Sequence, residues 1–386
     1  MNSTIAPFSF ILPTEIRYGE GVVSGLPDEL TIKNIGSVLV ISDSGIMEQP
    51  FAAVILDELA RAGIKSAVFD RVEPNPKDRN VTEAVKKAAE MHAEAIVALG
   101  GGSPIDCAKA VSVVAALGGK VRDYEDPSRI NRPVLPLYTV PTTAGTGSEV
   151  TFGSVITDTT EHFKFTIKSP NIAPRVAFID PLYTHSKPPK LTAATGLDAL
   201  THAVEAYTSK AANPLSNACA LYAVQLINRH LITAVEQPGN SGARAGMMTG
   251  SLLAGIAFSH SDVASVHCIA EAMGGRYDTP HGICNAVALP VVMEYNLDFA
   301  EGRYAEIASA MGFQFASFRE GAELAVARVK ELVRETGLPD FSSFEAKEAD
   351  FQELAEKAER NGSNKDNPRP MTAEDYMEIL RRLVKI

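Results

Sequence analysis

Between Ser37 and Thr143 the chain switches hydrophobic period again and again, and this alternation constrains the fold more than any other feature. "SVLVISD" (37–43) is a short β-branched run that reads as a buried strand. "FAAVILDELARAG" follows with helical periodicity and a closing glycine. "KSAVFD" is a strand, "VTEAVKKAAEMHA" a helix, and "EAIVALGGG" a strand that ends in glycines. "SPIDCAKAVSVVAAL" is again helical, and "VLPLYTVPTT" is another strand. Strands that alternate with helices build βαβ units and a parallel sheet. "EVTFGSVITD", "FKFTIKS" and "RVAFID" add strands or a hairpin.

The pattern changes after "IDPLYTHSKPPKLTAATG". From Leu197 onward the periodicity is almost entirely helical, down to a last helix for which Thr372 is the expected N-cap. The expected fold class is therefore α/β plus all-α, with a parallel-sheet domain over 1–185 and a helical domain over 186–386. A length of 386 residues suits two domains and an ample core. The net charge of −11 argues against nucleic acid or an anionic membrane surface as the main partner. No apolar run is expected to span a bilayer, and Pro7 and Pro13 interrupt an N-terminal stretch without the basic start of a secretory signal. Cys107, Cys219, Cys268 and Cys284 lack CxxC spacing and read as reduced thiols, so the expected location is cytoplasmic.

"ALGGGSPIDCAKA" has the make-up of an anion cradle. Three glycines turn the chain, Ser103 is the expected N-cap, and Pro104 and Asp106 complete a capping pattern. Free N–H groups at a glycine loop and helix start suit a pyrophosphate. The alternative is a tight connection with a good cap, and the stretch is not GxGxxG. Asp43, at the end of the first such strand, either accepts hydrogen bonds from a ribose or caps a helix. "PTTAGTGSEVT" offers small hydroxyls after a strand, or is simply a glycine-rich loop.

"DALTHAVEAY" places Asp198 and His202 one turn apart on an apolar helix. They pair with each other or point together at something else. With His267 and His281 they form a mixed N/O set that suits a divalent first-row metal. His92, His162, His185, His230 and His260 read as surface or core residues.

The runs "GGGSPIDCAKA", "PTTAGTGSEVT", "AATGLDALTHAVEAY", "VHCIAEAMGGRYDTPHGICNAVALPVVMEYN" and "DNPRP" occur in an order that resembles the iron-containing (group III) alcohol dehydrogenase family, over essentially the whole chain. The resemblance implies a dehydroquinate synthase-like architecture: a nucleotide-binding α/β domain, a helical metal-binding domain and a cleft between them. It implies a metal (Fe²⁺, or Zn²⁺ or another divalent ion) on Asp198, His202, His267 and His281. It also implies NAD(H), with its pyrophosphate on Gly101, Gly102 and Ser103, with Thr142, Thr143, Thr146 and Lys164 nearby, and with Asp43 setting the preference for NAD. A homodimer or higher homo-oligomer is the implied assembly. Members often carry a second histidine one turn after the third ligand; here that position is Glu271, a candidate catalytic residue alongside His267. On a helix Glu271 shares the face of His267, unless it is solvated or paired with a basic neighbour such as Arg276.

The implied reaction interconverts a small alcohol and its aldehyde or ketone. The metal acts as a Lewis acid and the nicotinamide carries hydride. Two alternatives compete with it. One is a same-fold enzyme such as maleylacetate reductase, a reductase of another oxoacid (succinic semialdehyde, giving 4-hydroxybutyrate) or dehydroquinate synthase. The other is a non-catalytic nucleotide or metal sensor, or a filament protein.

Overall fold

The computed structural model describes residues 7–161 and 163–384; His162 lies outside the described residues. The chain divides into two compact units, each described here by itself. One comprises Leu12–Thr143 and Ser148–Ser186. The other comprises residues 7–11, Ala144–Gly147 and residues 187–384, so 7–11 and Ala144–Gly147 fall outside the sheet domain expected over 1–185.

The first unit is built on strands β1 (Glu15–Tyr18), β2 (Ser37–Ile41), β3 (Lys65–Phe69), β4 (Ala95–Gly100), β5 (Leu137–Pro141) and β8 (Val176–Ile179). They form one sheet in the order β1-β8-β5-β4-β2-β3, with every pairing parallel. Strands β6 (Gly153–Asp158) and β7 (Phe163–Lys168) form a separate antiparallel hairpin. Helices α1 (Leu26–Ile32), α2 (Ser44–Met47), α3 (Pro50–Arg61), α4 (Asp78–Met91) and α5 (Gly102–Leu117) connect the strands.

Side chains alternate across a strand, so a sheet covered on both faces needs apolar residues at every position. Strand β2 shows this directly. Leu39 and Ile41 enter one core with residues of α4 and α5, while Val38 and Val40 enter another with residues of α1 and α3.

The second unit is helical: α6 (Pro189–Thr208), α7 (Pro214–Glu236), α8 (Ser241–Phe258), α9 (Ser265–Tyr277), α10 (His281–Ala310), α11 (Phe318–Glu335), α12 (Phe351–Arg360) and α13 (Ala373–Leu383). Helix α6 is its axis, with every residue from Gly196 to Thr208 buried. Helix α10 carries Pro290 within it and breaks its helical geometry at Ala300. Thr372 caps α13 by accepting the Asp375 N–H.

Helix α7 corrects one expectation, because by length and composition it suffices to cross a bilayer. It also carries Arg229 and His230, and its inner face (Ala220, Ala223, Val224, Ile227 and Leu231 among others) belongs to the core of this unit. In the short stretch Ala144–Gly147, Gly147 has φ +59° and lies backbone to backbone on α8: a Cβ there would sit 2.6 Å from Gly255 Cα.

Candidate active site

The carboxyl ends of β2, β4 and β5 gather one group of residues. Gly100, the last residue of β4, is in register with Pro141, the last of β5, and the Thr142 N–H donates to the Gly100 carbonyl at 3.0 Å. Gly101–Ser103 and Thr142–Thr143 therefore leave the sheet side by side, at the edge where parallel sheets take ligands. Thr146 falls in the short stretch that packs with the helical unit.

Helix α5 starts two residues earlier than the capping pattern suggests. Gly101 is its N-cap, and no side chain caps it, so Ser103 is inside the helix and is not the cap. Asp106 is engaged elsewhere, accepting Ser148 Oγ at 2.5 Å and the Val155 N–H at 3.0 Å. The first N–H groups of a helix without a side-chain cap remain available to an anion. A side chain at 101 would close the space: its Cβ would lie 3.0 Å from Thr143 Oγ1. Thr142 Oγ1 is buried without a hydrogen-bond partner among the described residues.

Asp43 takes up the capping role and also lies beside the glycine turn. Its Oδ1 accepts the Ile46 N–H at 3.0 Å and caps α2. Its Oδ2 lies near the glycine turn, 3.7 Å from where a Cβ of Gly100 would sit. Lys164 is on β7, buried, with Nζ donating to Asn75 Oδ1 at 2.8 Å.

Behind this edge lies a polar cluster that the sequence reading overlooked. Lys109 is fully buried and donates to Ser148 Oγ (3.0 Å), Thr151 Oγ1 (2.8 Å) and the Gly153 carbonyl (2.7 Å). Burial pulls its pKa down to about 8, although Asp106 and Glu149 oppose this. Burial lifts Glu149 to about 7.

The second group lies on three helices of the helical unit. Gly282 lets the start of α10 come close to α6; a Cβ there would meet the Ala194 carbonyl at 2.6 Å. This approach carries His281 to Asp198, with Nε2 3.7 Å from Oδ1. One donor atom each from Asp198, His267 and His281 lies within 4.8 Å of the others. His202 flanks this trio. Its Nδ1 is 3.9 Å from Asp198 Oδ2, its ring centroid is 4.6 Å from that of His267, and it stacks on Phe258.

The Asn285 amide sits among these groups. Its Nδ2 donates to Asp198 Oδ1 at 2.7 Å and lies 3.1 Å from both His267 Nε2 and His281 Nε2. An amide nitrogen has two N–H bonds, too few for three acceptors. His202 Nδ1 is also buried without a hydrogen-bond partner among the described residues. The cluster is thus rich in lone pairs and short of protons, which fits a cation. Burial pushes His202 down to about 4 against the pull of Asp198, so its imidazole is neutral at pH 7. Burial alone would raise Asp198, but the three histidines and the Asn285 amide hold it below its ordinary value.

Comparison with known proteins settles what kind of chain carries these two groups. Residues 13–181 match the family described as "Iron-containing alcohol dehydrogenase", and residues 192–384 match "Fe-containing alcohol dehydrogenase family, C-terminal". The 1,3-propanediol dehydrogenase of Citrobacter freundii is 40% identical over 380 residues, which cover 97% of this chain and 98% of that protein.

The chain belongs to the iron-containing alcohol dehydrogenase family.

Solved structures agree over nearly the whole length, among them an iron-containing alcohol dehydrogenase with a TM-score of 0.87 at 30% identity, covering 99% of this chain and 100% of that one. The crystal structure of 1,3-propanediol oxidoreductase superposes with a TM-score of 0.94 at 39% identity, covering 98% of this chain and 100% of that one. Sulfoacetaldehyde reductase from Bifidobacterium kashiwanohense, solved in complex with NAD⁺, gives 0.88 at 28% identity, covering 98% and 99%. As a family member the chain is an oxidoreductase that interconverts alcohols and aldehydes.

Glu271 lies on α9 four residues after His267 and is partly buried. Its Oε2 accepts Asn361 Nδ2 at 2.6 Å, while Arg276 pairs with Asp350 and Glu353. Burial works to lower the His267 pKa, but the negative charges of Glu205, Asp198 and Glu271 hold it above its usual value. The sequence reading missed Glu205 and Asn285. Each leaves a faint signal: Glu205 is seven residues after Asp198, and Asn285 is four after His281.

Proposed function

We propose that this alcohol dehydrogenase works with a divalent iron ion and NAD(H) on short, uncharged alcohols and aldehydes. The observation that carries the proposal is the convergence of three lone-pair donors on one amide in the helical unit. A divalent cation held by Asp198, His202, His267 and His281 supplies a Lewis acid for the alcohol or carbonyl oxygen, and the nicotinamide carries the hydride. The carboxylate of Asp198 provides charge, and the neutral imidazole of His202 a buried lone pair.

In the parallel-sheet unit, Gly101, Gly102 and Ser103 offer backbone N–H groups to a pyrophosphate, with Thr142 and Thr143 beside them. Asp43 accepts hydrogen bonds from ribose hydroxyls and repels a 2′-phosphate. Support for NAD(H) comes from that geometry and from the relative solved with NAD⁺.

The test is NADH oxidation by protein loaded with Fe²⁺, across a panel of small aldehydes, with NADPH and metal-stripped protein as comparisons. Turnover is expected with NADH and iron, much less with NADPH, and almost none after stripping. Equal rates with stripped and loaded protein would refute the metal assignment, and equal efficiency with both cofactors would refute the role of Asp43.

A further inference from the structure

We propose that Glu205 is the positioning residue of the metal centre: it holds His267 in the tautomer whose Nε2 lone pair faces Asp198 and His281. This rests on the metal reading given under Proposed function.

Glu205 continues a stripe on α6. Asp198, His202 and Glu205 are at positions i, i+4 and i+7 and share one face of a fully buried stretch. The stripe meets the start of α9, whose N-cap, Ala264, has no side chain able to cap. Glu205 supplies that cap from the neighbouring helix. Its Oε1 accepts the Val266 N–H at 2.7 Å, and its Oε2 accepts the Ala264 N–H at 3.0 Å. The same Oε2 lies 2.5 Å from His267 Nδ1.

The proton on that last contact is determined by its neighbours. Two backbone N–H donors favour the ionised carboxylate, which only accepts hydrogen bonds, so Glu205 faces His267 as an acceptor. Nδ1 therefore carries the hydrogen and donates it. In the neutral form that binding a metal requires, an imidazole has one N–H, so Nε2 keeps its lone pair. That atom is the one 3.1 Å from the Asn285 amide, beside the Asp198 and His281 donors. A carboxylate on the remote ring nitrogen also makes the ligating nitrogen more basic. Glu205 is not itself a ligand, since α9 and His267 occupy both of its oxygens.

The chemistry requires an acid here. A glutamine has one acceptor oxygen for two sites. If that oxygen serves Val266, the amide NH₂ faces His267 Nδ1 and drives the ring proton to Nε2, closing the lone pair. If it serves His267 and Ala264, an N–H faces the Val266 N–H. Glu205→Gln therefore loses the His267 tautomer or a helix cap.

Two measurements on the full-length chain test this. Binding of Zn²⁺ is measured by competition with a chromophoric chelator for the unmodified protein, Glu205→Gln, Glu205→Asp and His267→Ala, with folding checked by circular dichroism. Separately, long-range ¹H–¹⁵N correlation of histidine-labelled protein reads the His267 tautomer with and without Zn²⁺. Glu205→Gln is expected to weaken Zn²⁺ binding by about tenfold to a hundredfold while staying folded. Glu205→Asp should recover part of that loss, and unmodified His267 should carry its proton on Nδ1.

The proposal is overturned if His267 in the unmodified protein carries its proton on Nε2. It is also overturned if folded Glu205→Gln binds Zn²⁺ within about twofold of the unmodified protein while His267→Ala does not. Undiminished Zn²⁺ binding by His267→Ala would instead overturn the metal reading, and this inference with it. Should Glu205→Gln fail to fold, the tautomer of the unmodified protein decides.

Discussion

A carboxylate in a helix with no solvent around it needs compensation, and Asp198 has it. Three imidazoles and an amide outweigh the cost of burial and hold its pKa below the ordinary value. Removing one imidazole removes a donor and part of that compensation. His267→Ala and His281→Ala are each expected to stay folded, to lose stoichiometric metal by elemental analysis, and to show almost no turnover; metal retained at a near-normal rate would contradict the assignment. Glu271 is a different kind of residue. Its charge reaches His267, yet its side chain is held by Asn361. A divalent cation set against Asp198, Glu205 and Glu271 leaves the surroundings slightly negative, which disfavours anionic substrates. Glu271→His and Glu271→Gln should therefore shift the pH dependence of kcat and raise the ratio of rates on carboxylated over neutral aldehydes. Unchanged profiles and ratios in both variants would remove Glu271 from the site.

At the scale of elements, Asp43 joins a short helix to a candidate ribose site, and the two roles are separable. Glycine is tolerated at an N-cap at a cost of a few tenths of a kcal/mol, whereas alanine costs about 1 kcal/mol. Asp43→Gly should thus leave the melting temperature almost unchanged while lowering the KM for NADPH; Asp43→Ala should lower both. An unaltered NADPH KM in the glycine variant would leave Asp43 with its capping role alone. The strands and helices around Asp43 were legible because β2, β4 and β5 are short, mostly apolar runs and α4 and α5 follow with helical spacing. The start of α5 was misread because Ser103 and Asp106 fit a capping pattern, and nothing local reveals that Ser148 and Val155 claim Asp106. Glu205 and Asn285 were illegible for the same reason: their partners lie on other helices.

At the scale of the whole molecule, the described residues include a buried cluster of Lys109, Asp106 and Glu149 apart from the candidate metal site, and its pH response has a definite sign. Glu149 has a folded-state pKa of about 7, raised by burial above its ordinary 4.5. Stability from a raised acid is fully present below the unfolded value and is lost as pH rises through the folded one. Lys109, lowered to about 8, is charged in both states over most of that window and adds little slope there. Burial also raises Asp106, against the pull of Lys109, whose nitrogen is 4.0 Å away, and this acts in the same direction. The unmodified protein should therefore melt at a lower temperature at pH 7.5 than at pH 5.5, and Glu149→Gln should remove roughly a few degrees of that difference. Identical slopes in both proteins would show that Glu149 does not titrate in this range. The division into a sheet unit and a helical unit could be read from the change of period near residue 186. The placement of Ala144–Gly147 with the helical unit could not, because which body a loop packs on depends on residues far away in sequence.

That loop also limits how the enzyme can be diversified. Gly147 combines a left-handed backbone with direct contact on Gly255, so a larger residue at 147 meets main chain and no movable side chain. In a randomised library aimed at new substrates, position 147 would yield almost entirely inactive clones. Diversity placed at Glu271, whose neighbour is the end of a side chain, would survive selection.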